Sequence, residues 1–162
     1  MDEDWIRDLY ARYGAMVHRR ARTLLGDEEA AWDVLQEVFM RAFRNQRAFR
    51  HQSSPTTWLY RITTNYCFNL LRDANRHREK LQGLTVTTLH ADDPDLRLSL
   101  AAVLAHLPVE LCEMAVYHYV DRMSQDEIAA LFGVARRTVG NRLEEFRSRA
   151  QTVLGDSVAL LA

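Results

Sequence analysis

Five side chains near the C-terminus, Arg136, Arg137, Thr138, Asn141 and Arg142, are of the types that read nucleic acid. Guanidinium groups donate to phosphate oxygens or to the guanine edge, an Asn amide matches the adenine edge, and a Thr hydroxyl serves either. An earlier set, Trp58, Tyr60, Arg61, Asn65, Phe68, Arg72 and Arg76, interleaves rings with cations and amides. That mixture suits unstacked bases and the phosphates between them. A third set, Asp33, Gln36 and Glu37, is spaced i, i+3, i+4 and makes an acidic patch suited to a basic helix of a partner. All three chemistries are recognition: no bond is made or broken.

The elements that must hold these side chains read as helices. With 48% hydrophobic and 27% charged residues but only 6 Gly and 3 Pro in 162, the composition is that of a globular, mostly helical chain. Apolar residues recur near the 3.6 period at Ile6, Leu9, Tyr10, Tyr13, Val17, Ala21, Leu24 and Leu25, predicting a helix over 5–25 that Gly26 ends. Asp27 caps a second helix over about 28–48, with the stripe Ala31, Leu35, Val38, Phe39 and Ala42. A polar loop at 50–55 precedes a third helix from Pro55 or Thr56 to about Lys80. Its inward face is expected to be Leu59, Ile62, Thr63, Tyr66 and Leu70, and its outward face Arg61, Thr64, Asn65, Phe68, Arg72, Asn75 and Arg76. Core placement of Trp58 and Tyr66 competes with a nucleic-acid role. Residues 82–95, with Gly83, the run Thr85 to Thr88, and Pro94, break the pattern and read as a linker. Further helices are expected at about 96–106, 108–120, 124–132 and 135–154. The fold class is therefore all-α: two small helical domains, 1–80 and 96–155, joined by a flexible linker at 81–95, with a tail at 156–162.

Met123 to Leu143 is the most specific stretch. Ser124 and Glu127 match a capping box, Gly133 suits a left-handed turn, and Val139 and Leu143 face inward at i and i+4. This is the spacing of a helix-turn-helix, whose second helix enters the major groove. Charge follows the same division. Residues 41–80 carry a net +7 and 131–162 a net +2, while 1–40 and 81–130 are acidic at −4 and −6. Two basic surfaces thus follow two acidic ones, as nucleic-acid contacts in two places require.

Other classes find less support. Cys67 and Cys112 form no CxxC pair and the six His are scattered, so neither a metal nor a cofactor is expected. There is no phosphate-cradling Gly loop and no organised acid, base and nucleophile; Ser53-Ser54 beside His51 is a loose coincidence. An enzyme is not expected. The acidic start Met1-Asp2-Glu3-Asp4 and the lack of a long apolar run point to a cytoplasmic protein without membrane insertion. The competing reading is a stand-alone helix-turn-helix regulator whose first domain senses a ligand or dimerises.

Three segments together resemble a known family. Asp33-Val-Leu-Gln36-Glu37-Val-Phe39-Met-Arg-Ala-Phe43-Arg44 resembles region 2 of bacterial sigma factors, and Trp58-Leu59-Tyr60-Arg61-Ile62-Thr-Thr-Asn65 resembles the promoter-melting helix of their extracytoplasmic-function (ECF) group. Leu107-Pro108 with the helix-turn-helix resembles region 4. The resemblance implies a sigma factor that brings RNA polymerase core to promoter DNA. It implies that Asp33, Gln36 and Glu37 grip the β′ coiled coil, and that the polymerase β flap is a further contact. It assigns the −10 element to the loop with His51, Ser53 and Ser54 and to Trp58, Tyr60, Arg61 and Asn65, which the helix face extends to Phe68, Arg72 and Arg76, and the −35 element to Arg136, Arg137, Asn141 and Arg142, beside which Thr138 is exposed. It also implies an anti-sigma protein as a further partner. Two departures stand out: Gly140 where the family carries a basic residue, and Glu144-Glu145 where basic residues are common.

Overall fold

The computed structural model describes residues 3–46, 54–82, 103–104 and 106–154. Six α-helices account for most of them: α1 (Glu3–Leu25), α2 (Glu28–Arg44), α3 (Pro55–Gln82), α4 (Val109–Ala115), α5 (Gln125–Phe132) and α6 (Arg136–Leu154). No strand occurs among the described residues. The expected linker, most of the helix at 96–106 and the tail lie outside them.

By internal contacts the chain divides into two compact units, Met1–Asn69 and Leu70–Ala162. Arg72 shows why the last turns of α3 count with the second unit. Its Nε donates to the Leu104 carbonyl at 2.6 Å and its terminal nitrogen to the Leu107 carbonyl.

In the first unit α1 and α2 form an antiparallel hairpin, because Gly26 takes φ 67° and Asp27 restarts the helix, its carboxylate accepting from Ala30 N–H at 2.8 Å. The register shows in three pairs: Tyr10 with Phe39, His18 with Trp32, and Arg22 with Glu28. The α2 stripe Ala31, Leu35, Val38, Phe39 and Ala42 is buried as its period predicts, joined by Val34. From α1, Leu9, Val17 and Ala21 meet it, whereas Tyr10 stays 47% exposed. The second helix stops at Arg44, short of the expected 48, where Asn45 N–H returns to the Arg41 carbonyl at 2.9 Å.

The inward face of α3 is wider than a single stripe. Leu59, Thr63, Thr64, Cys67 and Phe68 are all buried, an arc of roughly 180° at 100° per residue. Two neighbours cause this. The buried Arg20 of α1 donates to Thr64 Oγ1 at 3.3 Å and lies over the Tyr60 ring at 4.2 Å. Arg41 of α2 lies over Tyr66, about a third of a turn away. The two buried threonines satisfy their hydroxyls on the carbonyls of Leu59 and Tyr60, so their burial leaves no unmet donor.

The second unit packs α4, α5 and α6 around Leu111, Met114, Tyr117, Ile128, Val139, Leu143 and Phe146. The helix expected over 108–120 loosens into a π-helical segment at Val116–Val120, where Asp121 N–H reaches back five residues to Val116 O. Arg122 then turns at φ 59° into Ser124. The capping box is complete: Glu127 N–H donates to Ser124 Oγ at 3.2 Å, and Ser124 N–H donates to the Glu127 carboxylate at 2.7 Å. The Ser124 N–H and, after it, the Ser124 hydroxyl donate to the carboxylate and hold Glu127 below its ordinary range. Ser124→Ala removes one half of this box and is expected to cost about 1 kcal/mol. In thermal melting that is a drop of about 4–8 °C for a unit of this size, with unchanged helix content. No drop would mean the box is ornamental to stability.

Candidate promoter and polymerase interface

Three groups of side chains were singled out, and each sits on a separate helix. On α6, Gly133 holds the left-handed turn at φ 65° after α5, and Val139 and Leu143 bury the inner side. This leaves Arg136, Arg137 and Asn141 exposed at the start of the helix, with Thr138 half-buried. Four of the five arginines of α6 meet carboxylates. Arg136 lies 3.6 Å from Asp126, Arg142 pairs with Glu110 of α4, and Arg147 and Arg149 pair with Glu144 and Glu145. Arg137 has no carboxylate partner among the described residues. Arg142, expected to face DNA, has its guanidinium engaged by Glu110, a pair that ties α6 to α4. The two glutamates flagged by sequence are neutralised along their own helix. A Cβ on Gly140 would stand 3.4 Å from Gln125 Oε1, an ordinary contact, so space does not demand glycine there.

On α3 the expected outward face changes in membership. Phe68 is 1% exposed and fills the core of the first unit, because the arc covered by α1 and α2 reaches it. Arg72 is half-buried on the carbonyls of Leu104 and Leu107, and Asn75 is buried. None of these three is presented as a strand-facing side chain. What remains toward solvent in the first unit is Ser54, with Trp58, Arg61 and Asn65 half-exposed and Asn69 exposed. Helical geometry sets Trp58, Asn65 and Asn69 within about 40° of one another. Asn69 was missed by the sequence reading; its signal was the i+4 step from Asn65. Tyr60 is half-buried beneath Arg20. Arg76 is exposed, 3.8 Å from Asp73. His51 and Ser53 lie outside the described residues. Ser54 accepts from Thr57 N–H at 3.1 Å and caps the start of α3.

On α2, Asp33 and Gln36 are exposed and Glu37 is half-buried. The Glu37 carboxylate accepts from Arg41 Nε at 2.7 Å, and that bond is the main reason its pKa is lowered. Asp33 has no ion-pair partner among the described residues. Interleaved with them on an arc of about 140° stand Trp32, Met40 and Phe43, all large and exposed. The sequence reading missed these three, since they stand outside the core stripe on the face taken as polar. Exposed apolar side chains gathered around free charge mark a protein contact.

Both thiols are buried; loss of hydration pushes Cys67 up to about 12 and Cys112 up to about 11. A thiol reagent at pH 8 is expected to label neither until the protein unfolds. Rapid labelling of the native chain would show that the cores open. Among the described residues no group of His, Cys, Asp or Glu could hold a metal ion, and no helix is long and apolar enough to cross a membrane.

Comparison with known proteins finds two family models along the chain. The family model for sigma-70 region 2 matches residues 9–77, and that for sigma-70 region 4 matches residues 97–149. A relative, the ECF RNA polymerase sigma factor SigM of Mycobacterium tuberculosis, is 30% identical over 148 residues, covering 91% of this chain and 76% of that protein. The chain is an ECF sigma factor of the sigma-70 family. This sigma factor is also similar to SigW of Bacillus subtilis, 27% identical over 171 residues, with 96% of this chain and 91% of that one covered. In fold it resembles the sigma factor RpoE of Bartonella quintana, solved in complex with the anti-sigma factor NepR. That likeness has a TM-score of 0.54, 22% identity, and covers 94% of this chain and 98% of the other. As a sigma factor it works with RNA polymerase and promoter DNA, which sets aside the stand-alone regulator.

Proposed function

We propose that this sigma factor divides initiation among its three helical surfaces. The α2 face, Asp33 and Gln36 with Trp32, Met40 and Phe43 around them, docks on the β′ coiled coil of core polymerase. Glu37 contributes mainly by fixing Arg41. The start of α3, Ser54, Trp58, Arg61, Asn65 and Asn69, meets the opened −10 element. Stacking on an aromatic ring contributes about 1–3 kcal/mol per base, enough to offset much of the few kcal/mol that opening each base costs. The start of α6, Arg136, Arg137 and Asn141, reads the −35 duplex, while Arg142 braces it. The modules are 1–80 and 96–155, with 81–95 between them and a β flap contact on the second. The observation that carries this reading is the exposure of Arg136, Arg137 and Asn141 just behind a capped α5 and a left-handed glycine turn.

The protein acts in the cytoplasm, and its role is binding rather than catalysis. An anti-sigma protein is proposed as a partner, on the sequence resemblance and on the solved relative's complex. Sequencing transcript 5′ ends after overexpression supplies the promoter motif, and purified chain with core polymerase is then expected to initiate there. A failure to initiate on every promoter so found, with active core, would overturn the reading.

A further inference from the structure

The first unit carries a groove that shares only Trp32 with these assignments. It lies between α1 and α2, has a volume of about 450 Å³ and is lined along α1 by Ala11, Gly14 and Ala15, with the Tyr10 ring lying against Gly14. Its walls are the Tyr10 and Trp32 rings, 47% and 50% exposed. The Trp32 ring packs on the His18 ring, centroids 4.2 Å apart and planes tilted by 41°. At the far end stand Arg19 and Arg22. Arg22 shares Glu28 with His18, at 3.4 Å and 3.2 Å, whereas Arg19 has no ion-pair partner among the described residues. From Tyr10 to Arg22 the trough runs roughly 18 Å along α1, with its apolar section in the first 12 Å or so.

We infer that this groove docks an amphipathic helix of a partner protein, one bulky apolar side chain seated between Tyr10 and Trp32 and carboxylates set over Arg19 and Arg22. Two large exposed rings beside a row of small residues make a slot for a side chain, not a flat solvated face. The charge at one end gives the partner its sign and its direction along the groove. Three turns of helix cover the length, with the apolar residue one to two turns from the acids. On the polymerase assignment above, Trp32 also borders the α2 docking face, so a helix seated here covers one edge of it.

The full-length chain is panned against a displayed library of random 16-residue peptides, and the enriched peptides are measured in solution by fluorescence anisotropy. The expected consensus is a bulky apolar residue with Asp or Glu one to two turns away. Arg19→Glu lowers affinity about tenfold, and a peptide with Lys in place of its acids recovers binding to that variant. Ala15→Phe, at an exposed lining position, fills the slot and abolishes binding while circular dichroism and melting stay unchanged. The inference is overturned if no binder emerges, if binders carry no acidic bias, or if binding is indifferent to Arg19→Glu and Ala15→Phe. It is equally overturned if Arg19→Glu weakens core polymerase binding as much as peptide binding, since the groove then belongs to the polymerase contact; an intact core affinity keeps the two sites apart.

Discussion

Asp33→Lys is expected to weaken binding to core polymerase by about 30-fold or more, the largest effect of any single change on α2. The magnitude follows from the charge's situation. Asp33 is exposed and unpaired among the described residues, so its carboxylate is available to a basic partner at no internal cost. Reversing a charge set among apolar groups that exclude water costs on the order of 2 kcal/mol, and about 1.4 kcal/mol is tenfold in affinity. Glu37→Gln is expected to do less, because that carboxylate is already engaged by Arg41 at 2.7 Å. Its main consequence is to loosen Arg41 over Tyr66. Met40→Ala, which removes an exposed apolar side chain from the same arc, falls between the two. The measurement is equilibrium binding of labelled sigma factor to core, with helix content checked for each variant. If Asp33→Lys binds as tightly as the natural chain, α2 is not the docking face.

The second large effect falls on the duplex-reading helix. Arg137→Ala is expected to lower promoter affinity about 5- to 150-fold and to relax preference at one or two base pairs, as losing a bidentate base contact worth about 1–3 kcal/mol does. Arg137 is singled out because it needs no exchange of partner before it can meet DNA. Arg136 must first leave Asp126, an exposed pair at 3.6 Å that contributes little, so Arg136→Ala is expected to weaken binding modestly and evenly across sequences. Arg142→Ala acts differently again. With its link to Glu110 gone it lowers the melting temperature of the second unit and leaves base preference alone. Competition among duplexes substituted one base pair at a time, with holoenzyme, separates the three. An Arg137→Ala loss that is equal for every duplex would move that residue from base reading to phosphate contact.

Local signals in the sequence were read well. Ser124 and Glu127 are three residues apart, Gly133 follows one short helix later, and Val139 and Leu143 share a face, so the helix-turn-helix needs no distant information. The α2 stripe behaves the same way, its buried residues falling at the helical period. What sequence could not supply was how much of α3 is covered. A single stripe placed Phe68 and Thr64 outside, but Arg20, some forty residues away, packs on Tyr60 and Thr64 and extends the buried arc. Arg72 was read as a free cation for the same reason: its partners are carbonyls 32 and 35 residues on. Trp32 shows the opposite error. Its apolar character draws no attention next to a buried stripe, and only the exposure of its ring marks it for a partner. The π-helical segment at Val116–Val120, closed by Asp121 N–H reaching back five residues to Val116 O, has no composition signal.

The central claim is that α3 deals with opened strands while α6 deals with intact duplex, and one experiment separates them. Trp58→Ala with Arg61→Ala in one protein, and Arg137→Ala in another, are each assembled with core and tested on the same promoter. One template is fully paired; the other is mismatched across the −10 element so that it is already open. Abortive-transcript synthesis is the readout. The α3 variant is predicted to fail on the paired template and to recover much of its activity on the opened one, while Arg137→Ala stays equally impaired on both. Recovery of the Arg137 variant instead, or of neither on the opened template, would contradict the division of labour.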